Sequence, residues 1–350
     1  MDSDSDVDTT EPSYWWNRRF LLSSLFVLTT VIVAAICIWK YEGRRRERGA
    51  NHQGKTVGFL YEDEAWNTSF KVIHPAWLLA YRIIAFGVLL SVIVMNYVDD
   101  GPGIFLFYTQ CTFCLVTIYF AVGSSLSIYG CYKYHNRVSD DPADDVRDDE
   151  EQSISVAPAL AENADATNTS KRFTFEECFS LEDTTNTSKR FTDEKGSSRK
   201  PAGVCVYIFQ ALYQMCGGAV VLTDLIFWGL LYPFVWDPDY DELDYLMISL
   251  HVYNFVFLLG DTALNSMRFP MFRIAYFMLW TITYVIVQWI VHACVDLWWP
   301  YPFLSLASTY APLWYLLVGL VHIPCYCGYA LIVKLKHLWF TRFFPKSFQG

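Results

Sequence analysis

Four side chains in one stretch of the chain ask for a chemical explanation. Residues 245–304 hold two strongly apolar runs, yet they carry His251, Asn254, Asp261 and His292. Polar or ionisable groups are costly at membrane depth, so within an apolar helix they point to a functional site. Asp224 in VVLTD and the pair Thr109–Gln110 in FLFYTQ add to the set. Together these residue types suit nucleophilic acyl transfer. A threonine hydroxyl is a weak nucleophile until a base takes its proton, and a neutral imidazole is the usual base. A carboxylate or amide orients that imidazole, and an amide or indole N–H stabilises the oxyanion. Thr109 and His251 are therefore the candidate catalytic pair, with Asp224, Asn254, Gln110 and His292 as a supporting polar pocket. The commoner role of a membrane threonine is to bond its own i−4 carbonyl or to pack between helices.

Other reactive residues are read structurally. Arg82 and Asp261 sit near the same ends of their spans and make a candidate interhelical ion pair; snorkelling is the alternative for Arg82. His322 lies near Cys325 and Cys327, but nothing else completes a coordination shell, so neither a metal nor any other cofactor is expected. Eight of the ten cysteines fall in apolar runs, where they are expected to act as small hydrophobes. The Trp and Tyr residues at 298–301 are expected to form an interfacial belt.

The elements that must position these groups are helices. The chain is 350 residues long, 53% hydrophobic and 18% aromatic. Seven apolar runs approach the roughly 20 residues needed to cross a bilayer. They are 20–39, 76–98, 104–131, 204–232, 245–264, 271–292 and 310–333. The expected fold is an all-α integral membrane protein, a bundle of about seven transmembrane helices. An acidic tail covers 1–19, helices one to three cover 20–131, and helices four to seven cover 204–333. A basic tail follows at 334–350. Between the halves, 132–203 reads as a long disordered acidic loop in which TNTSKRFT occurs at 167–174 and again at 185–192.

Charge is unevenly placed. The net −10 comprises −5 from residues 1–11 and −8 from 139–200, leaving +3 elsewhere. No basic domain suggests nucleic acid. The connections 99–103, 233–244 and 293–309 hold no Lys or Arg, whereas 40–75 and the C-terminal tail are rich in them. The positive-inside rule then places the N-terminus outside or lumenal and the C-terminus in the cytoplasm. The sequons at Asn67, Asn168 and Asn186 are expected to carry no glycan. In this frame Thr109 and His251 both lie roughly 8–9 Å below the outer boundary, at about 1.5 Å per helical residue.

YEDEAWNTSFKVIHPAWLLAYRIIAF, IFLFYTQCTFCLVTIYFAVGSSLSIYGC and HVYNFVFLLGDTALNSMRFP resemble a plant family of rolling-stone-like multi-pass transmembrane proteins. The resemblance covers nearly all of the chain outside 139–200. A fainter similarity reaches the androgen-induced protein family, membrane threonine hydrolases that cleave fatty-acid esters. Three pieces carry it: Thr109 near the start of a span, His251 19 residues before Pro270, and W-x-x-H with Y-P-F-L (Trp289, His292, Tyr301–Leu304). It implies Thr109 as nucleophile and His251 as base. The first span and the long acidic loop depart from that animal pattern, and so do Val252, Tyr253 and Asn254 after the histidine.

The leading expectation is thus a lipid-ester hydrolase, acting on a membrane lipid substrate near the outer leaflet. One rival is a non-catalytic organiser or adaptor that recruits cytosolic proteins through 132–203. The other is a lipid- or solute-binding transporter using His251 and Asp224.

Overall fold

A computed structural model describes residues 8–43, 60–139, 202–234 and 245–348. The TNTSKRFT copies, Asn168, Asn186 and nearly all of the acidic loop lie outside these residues. Among the described residues, seven helices are long and apolar enough to cross a membrane. They are α1 (Arg18–Ile38), α2 (Pro75–Asp100), α3 (Tyr108–Ser139), α4 (Val204–Ile226), α5 (Tyr245–Leu264), α6 (Ile274–Cys294) and α7 (Ala311–Phe343). No β-strand occurs among the described residues; two isolated bridges, Thr68–Asn265 and Phe70–Phe348, are the extended pairings. Leucines, isoleucines and valines cover the outward faces, as at Leu21, Ile84, Val94, Ile118 and Leu331. The chain is an all-α, multi-pass integral membrane protein.

Local chemistry sets the helix ends. Asn17 caps α1 by accepting from the Phe20 amide at 2.9 Å. His74 caps α2 through the Ala76 amide at 3.1 Å, and Pro75 fills the first turn, where no amide hydrogen is missed. α2 stops at Gly101, whose φ of 74° is open to glycine at little cost. Gly101–Leu106 is a 3-10 segment, so the third helix starts at Tyr108 rather than 104. Two helices outrun their apolar cores. Residues 132–139, expected in the loop, continue α3, and 334–343, expected in the tail, continue α7. Backbone hydrogen bonding, unlike hydropathy, does not end with the apolar run. Pro324 sits inside α7 without ending it.

α4 is the centre of the bundle and packs on α3, α5, α6 and α7. Its Gly217 and Gly218 admit aromatic rings: an added Cβ would stand 2.7 Å from Tyr329 and 2.5 Å from Phe277. Small residues allow such approach where packing, not water exclusion, drives association. α1 is peripheral and leans on α6 and α7.

The two ends of the bundle are distinct. At one end, Tyr14 meets Trp299 and the Leu306 amide, and Thr9 bonds Asp296. At the other, residues 60–74 fold back beneath the helices. There the Ser69 amide donates to Leu264 O, and the Lys71 amide to Ser347 O. Trp66 packs there against Gly130.

Toward this second end two arginines are buried with partners. Arg82 Nε donates to Asp261 Oδ1 at 2.7 Å, both side chains being fully buried. Its Nη1 donates to Ala65 O and Ser127 Oγ, each at 2.8 Å. Tyr119 and Asn265 donate to the remaining carboxylate oxygen. Arg273 similarly joins Glu42 at 2.7 Å and the side-chain oxygens of Gln210 and Gln214.

Eight cysteines among the described residues are free. Cys205, expected to be a small hydrophobe, is instead disulfide-bonded.

Candidate functional site

Thr109 occupies the first turn of α3 and lines a cavity enclosed by α3, α4, α6, α7 and the 301–304 segment. The cavity volume is about 50 Å³, within about 490 Å³ of empty space that includes open solvent. Its wall is apolar, supplied by Leu222, Ile226, Phe227, Val285, Leu304 and Val318, and Tyr108, Thr109, Thr223, Thr281 and Tyr301 also line it. The start of α3 is tucked against the middle of α6, because Tyr284 Oη and Gln288 Nε2 both donate to Leu106 O, at 2.7 and 2.9 Å.

Thr109 and Tyr301 are neighbours in the cavity wall. Burial pushes the Tyr301 phenol above its ordinary value, which keeps it a neutral hydroxyl available to donate. Tyr301, grouped by its sequence with an interfacial belt, is thus a cavity residue. Trp299 is also drawn inward, stacked on His292 with ring centroids 3.7 Å apart, while Trp298 is 60% exposed.

His251 lies one layer behind the cavity wall. Its ring stacks on Phe227 at 3.7 Å and 9°, and Phe227 also lines the cavity. His251 Nδ1 is 3.7 Å from Asp224 Oδ1, too long for a hydrogen bond. Both atoms are buried and lack a hydrogen-bond partner, as does Asn254 Nδ2 three residues further along α5. Three unsatisfied polar atoms on facing helices α4 and α5 are unusual for a settled core. Phe227 opens a π-helical turn, Phe227–Leu231, that ends α4. Such turns break the regular ladder and are frequent at functional sites.

The remaining sequence candidates divide. Arg82 and Asp261 meet, as described. Gln110 turns away from the cavity and donates to Asn96 Oδ1 at 2.8 Å. His292 anchors the 295–310 connection through Trp299, its Nδ1 on Gln288 O at 2.8 Å. Among the described residues no three His, Cys, Asp or Glu side chains are grouped to hold a metal ion. Tyr108, Thr281 and Phe227 were not singled out by the sequence. Tyrosine, threonine and phenylalanine are ordinary in apolar helices, and only the packing gives these three a site.

Compared with known proteins, the chain matches no family model, no curated protein and no solved structure.

Proposed function

We propose that this membrane protein hydrolyses lipid esters, holding the acyl chain in the cavity and presenting the ester to Thr109 and His251. The observation that carries the proposal is an apolar cavity with Thr109 in its wall and His251 one ring behind it. Thr109 Oγ1 would attack the ester carbonyl and pass its proton to His251. The alcohol would leave with that proton, and water would release the acid by the reverse proton path. Asp224 would steady the imidazole, and the Tyr301 phenol would donate to the oxyanion. For this the Phe227 ring must swing out of the gap, a motion that the π-helical turn favours. The outer-leaflet placement of the site follows from the charge bias and belongs to the same proposal, as does membership of the rolling-stone-like family on the motifs quoted above.

A second reading is favoured by Phe227 itself. With its ring closing the gap to His251, the cavity is an acyl-binding site without chemistry, suited to a lipid carrier or receptor. The two separate in one experiment on protein reconstituted in liposomes containing a long-chain fatty-acid ester. Hydrolysis is expected to release free fatty acid at a rate that Thr109→Ala and His251→Ala each lower by at least about 100-fold. An acyl photoprobe that crosslinks to the cavity, with no fatty acid released, would leave binding alone.

A further inference from the structure

We propose that Thr281 is the nucleophile of this cavity and that His322 is its base, an inference that rests on the lipid-ester reading above but moves its chemistry from Thr109 and His251. Thr281, on α6, lines the same cavity as Thr109. Its hydroxyl lies 2.8 Å from His322 Nε2 and 2.8 Å from Tyr108 Oη. His322 Nδ1 lies 2.7 Å from Val318 O. A carbonyl only accepts, so Nδ1 carries the hydrogen, and the neutral ring offers its lone pair at Nε2. Thr281 has a single hydrogen and spends it on His322. Tyr108 must therefore donate to Thr281 Oγ1. The proton order is fixed along the line Tyr108, Thr281, His322, Val318.

This is the arrangement a nucleophile and its base require: hydroxyl and imidazole within hydrogen-bond reach, and the imidazole oriented by a third group. A backbone carbonyl takes the orienting role that a carboxylate fills elsewhere. Packing alone does not demand it. Thr29, Thr30, Thr117, Thr223 and Thr283 return their hydroxyls to their own i−4 carbonyls, the ordinary habit of a membrane threonine. Thr281 instead reaches across to two other helices. His322 is held in place by Phe277, 4.5 Å away between ring centroids, and is 2% exposed.

The chemistry balances without an external oxidant or reductant. Thr281 Oγ1 bonds to the ester carbonyl carbon as its proton moves to His322 Nε2. The tetrahedral centre collapses, the C–O bond to the alcohol breaks, and that oxygen takes the proton from His322. Water then adds to the acyl-threonine, giving a proton to His322, and Thr281 leaves with it as the fatty acid departs.

The test uses the full chain in detergent micelles with an alkyl fluorophosphonate, whose phosphorus bonds the activated hydroxyl as fluoride leaves. Peptide mass spectrometry locates the adduct. The expected result is an adduct on Thr281, retained in Thr281→Ser, lost in Thr281→Val, and formed at least about 100-fold more slowly in His322→Gln. Thr283→Val, two residues away on an exposed face, should label as wild type does. Size-exclusion profiles establish that each variant is folded, and Thr281→Ser keeps the nucleophile where Thr281→Val disturbs packing. An adduct on Thr109 that depends on His251 would overturn the inference and leave the lipid-ester reading standing. A folded wild type with neither adduct nor ester turnover would remove both.

Discussion

At the scale of single residues, the buried ion pair is the sharpest commitment. Arg82 and Asp261 are both fully buried and 2.7 Å apart, with donors filling the rest of the carboxylate. A buried pair need not stabilise relative to apolar residues, but removing one partner strands a charge, at a cost of about 3–5 kcal/mol. Asp261→Ala should therefore lower the midpoint of thermal unfolding in detergent far more than the double variant Arg82→Leu with Asp261→Leu. Equal losses in the two would show that the pair matters only by its volume. Glu42→Ala should cost less, since Glu42 is 26% exposed and Arg273 keeps two glutamine oxygens. Sequence made these charges visible because an ionised group in an apolar run has few places to go. The Thr109–His251 alignment was visible only as depth. Counting residues along helices says nothing of the ring between them, and Phe227 looks like any other apolar residue until it is packed.

Helices and turns carry the next set of consequences. Two glycines of similar sequence context are predicted to behave oppositely. At Gly130 an added Cβ would fall 2.1 Å from Trp66 Cγ, so Gly130→Ala must displace the buried indole and should cost about 1–3 kcal/mol. At Gly87 nothing lies within 4 Å, and Gly87→Ala should be neutral or stabilise α2 by about 0.5–1 kcal/mol. Thermal unfolding of the two variants side by side checks both signs. The π-helical turn at Phe227–Leu231 gives a third. Phe227→Ala removes the ring between the cavity and His251 and should raise ester turnover under the hydrolase proposal, while an acyl carrier would lose affinity for the photoprobe. Hydropathy located all seven spans because each is an apolar run of bilayer length. It misplaced the ends of α3 and α7 by eight and ten residues, since both helices continue into polar turns beyond the apolar core.

For the whole molecule, the distribution of charge bears on which end faces the cytoplasm, and one feature pulls against it. Lys71, Lys133, Arg268, Arg273, Lys334 and Arg342 gather toward the end where residues 60–74 fold back, while Asp99, Asp100 and Asp296 mark the other. Positive-inside bias assigns the basic end to the cytoplasm. Cys205, at the start of α4 on that same basic end, is disulfide-bonded, and disulfides persist in oxidising compartments. Charge acts during insertion and sums over many residues, so it outweighs a single disulfide. The expected outcome is an N-terminus outside or lumenal. Ser3→Asn creates an acceptor sequon with Ser5, fifteen residues before α1, and should gain one glycan removable by glycosidase. Asn67, already in a sequon at the basic end, should carry none. Glycan on Asn67 and none at residue 3 would invert the molecule, place the Cys205 disulfide in the lumen, and move the cavity to the cytoplasmic leaflet, where any lipid ester it takes would have to be found.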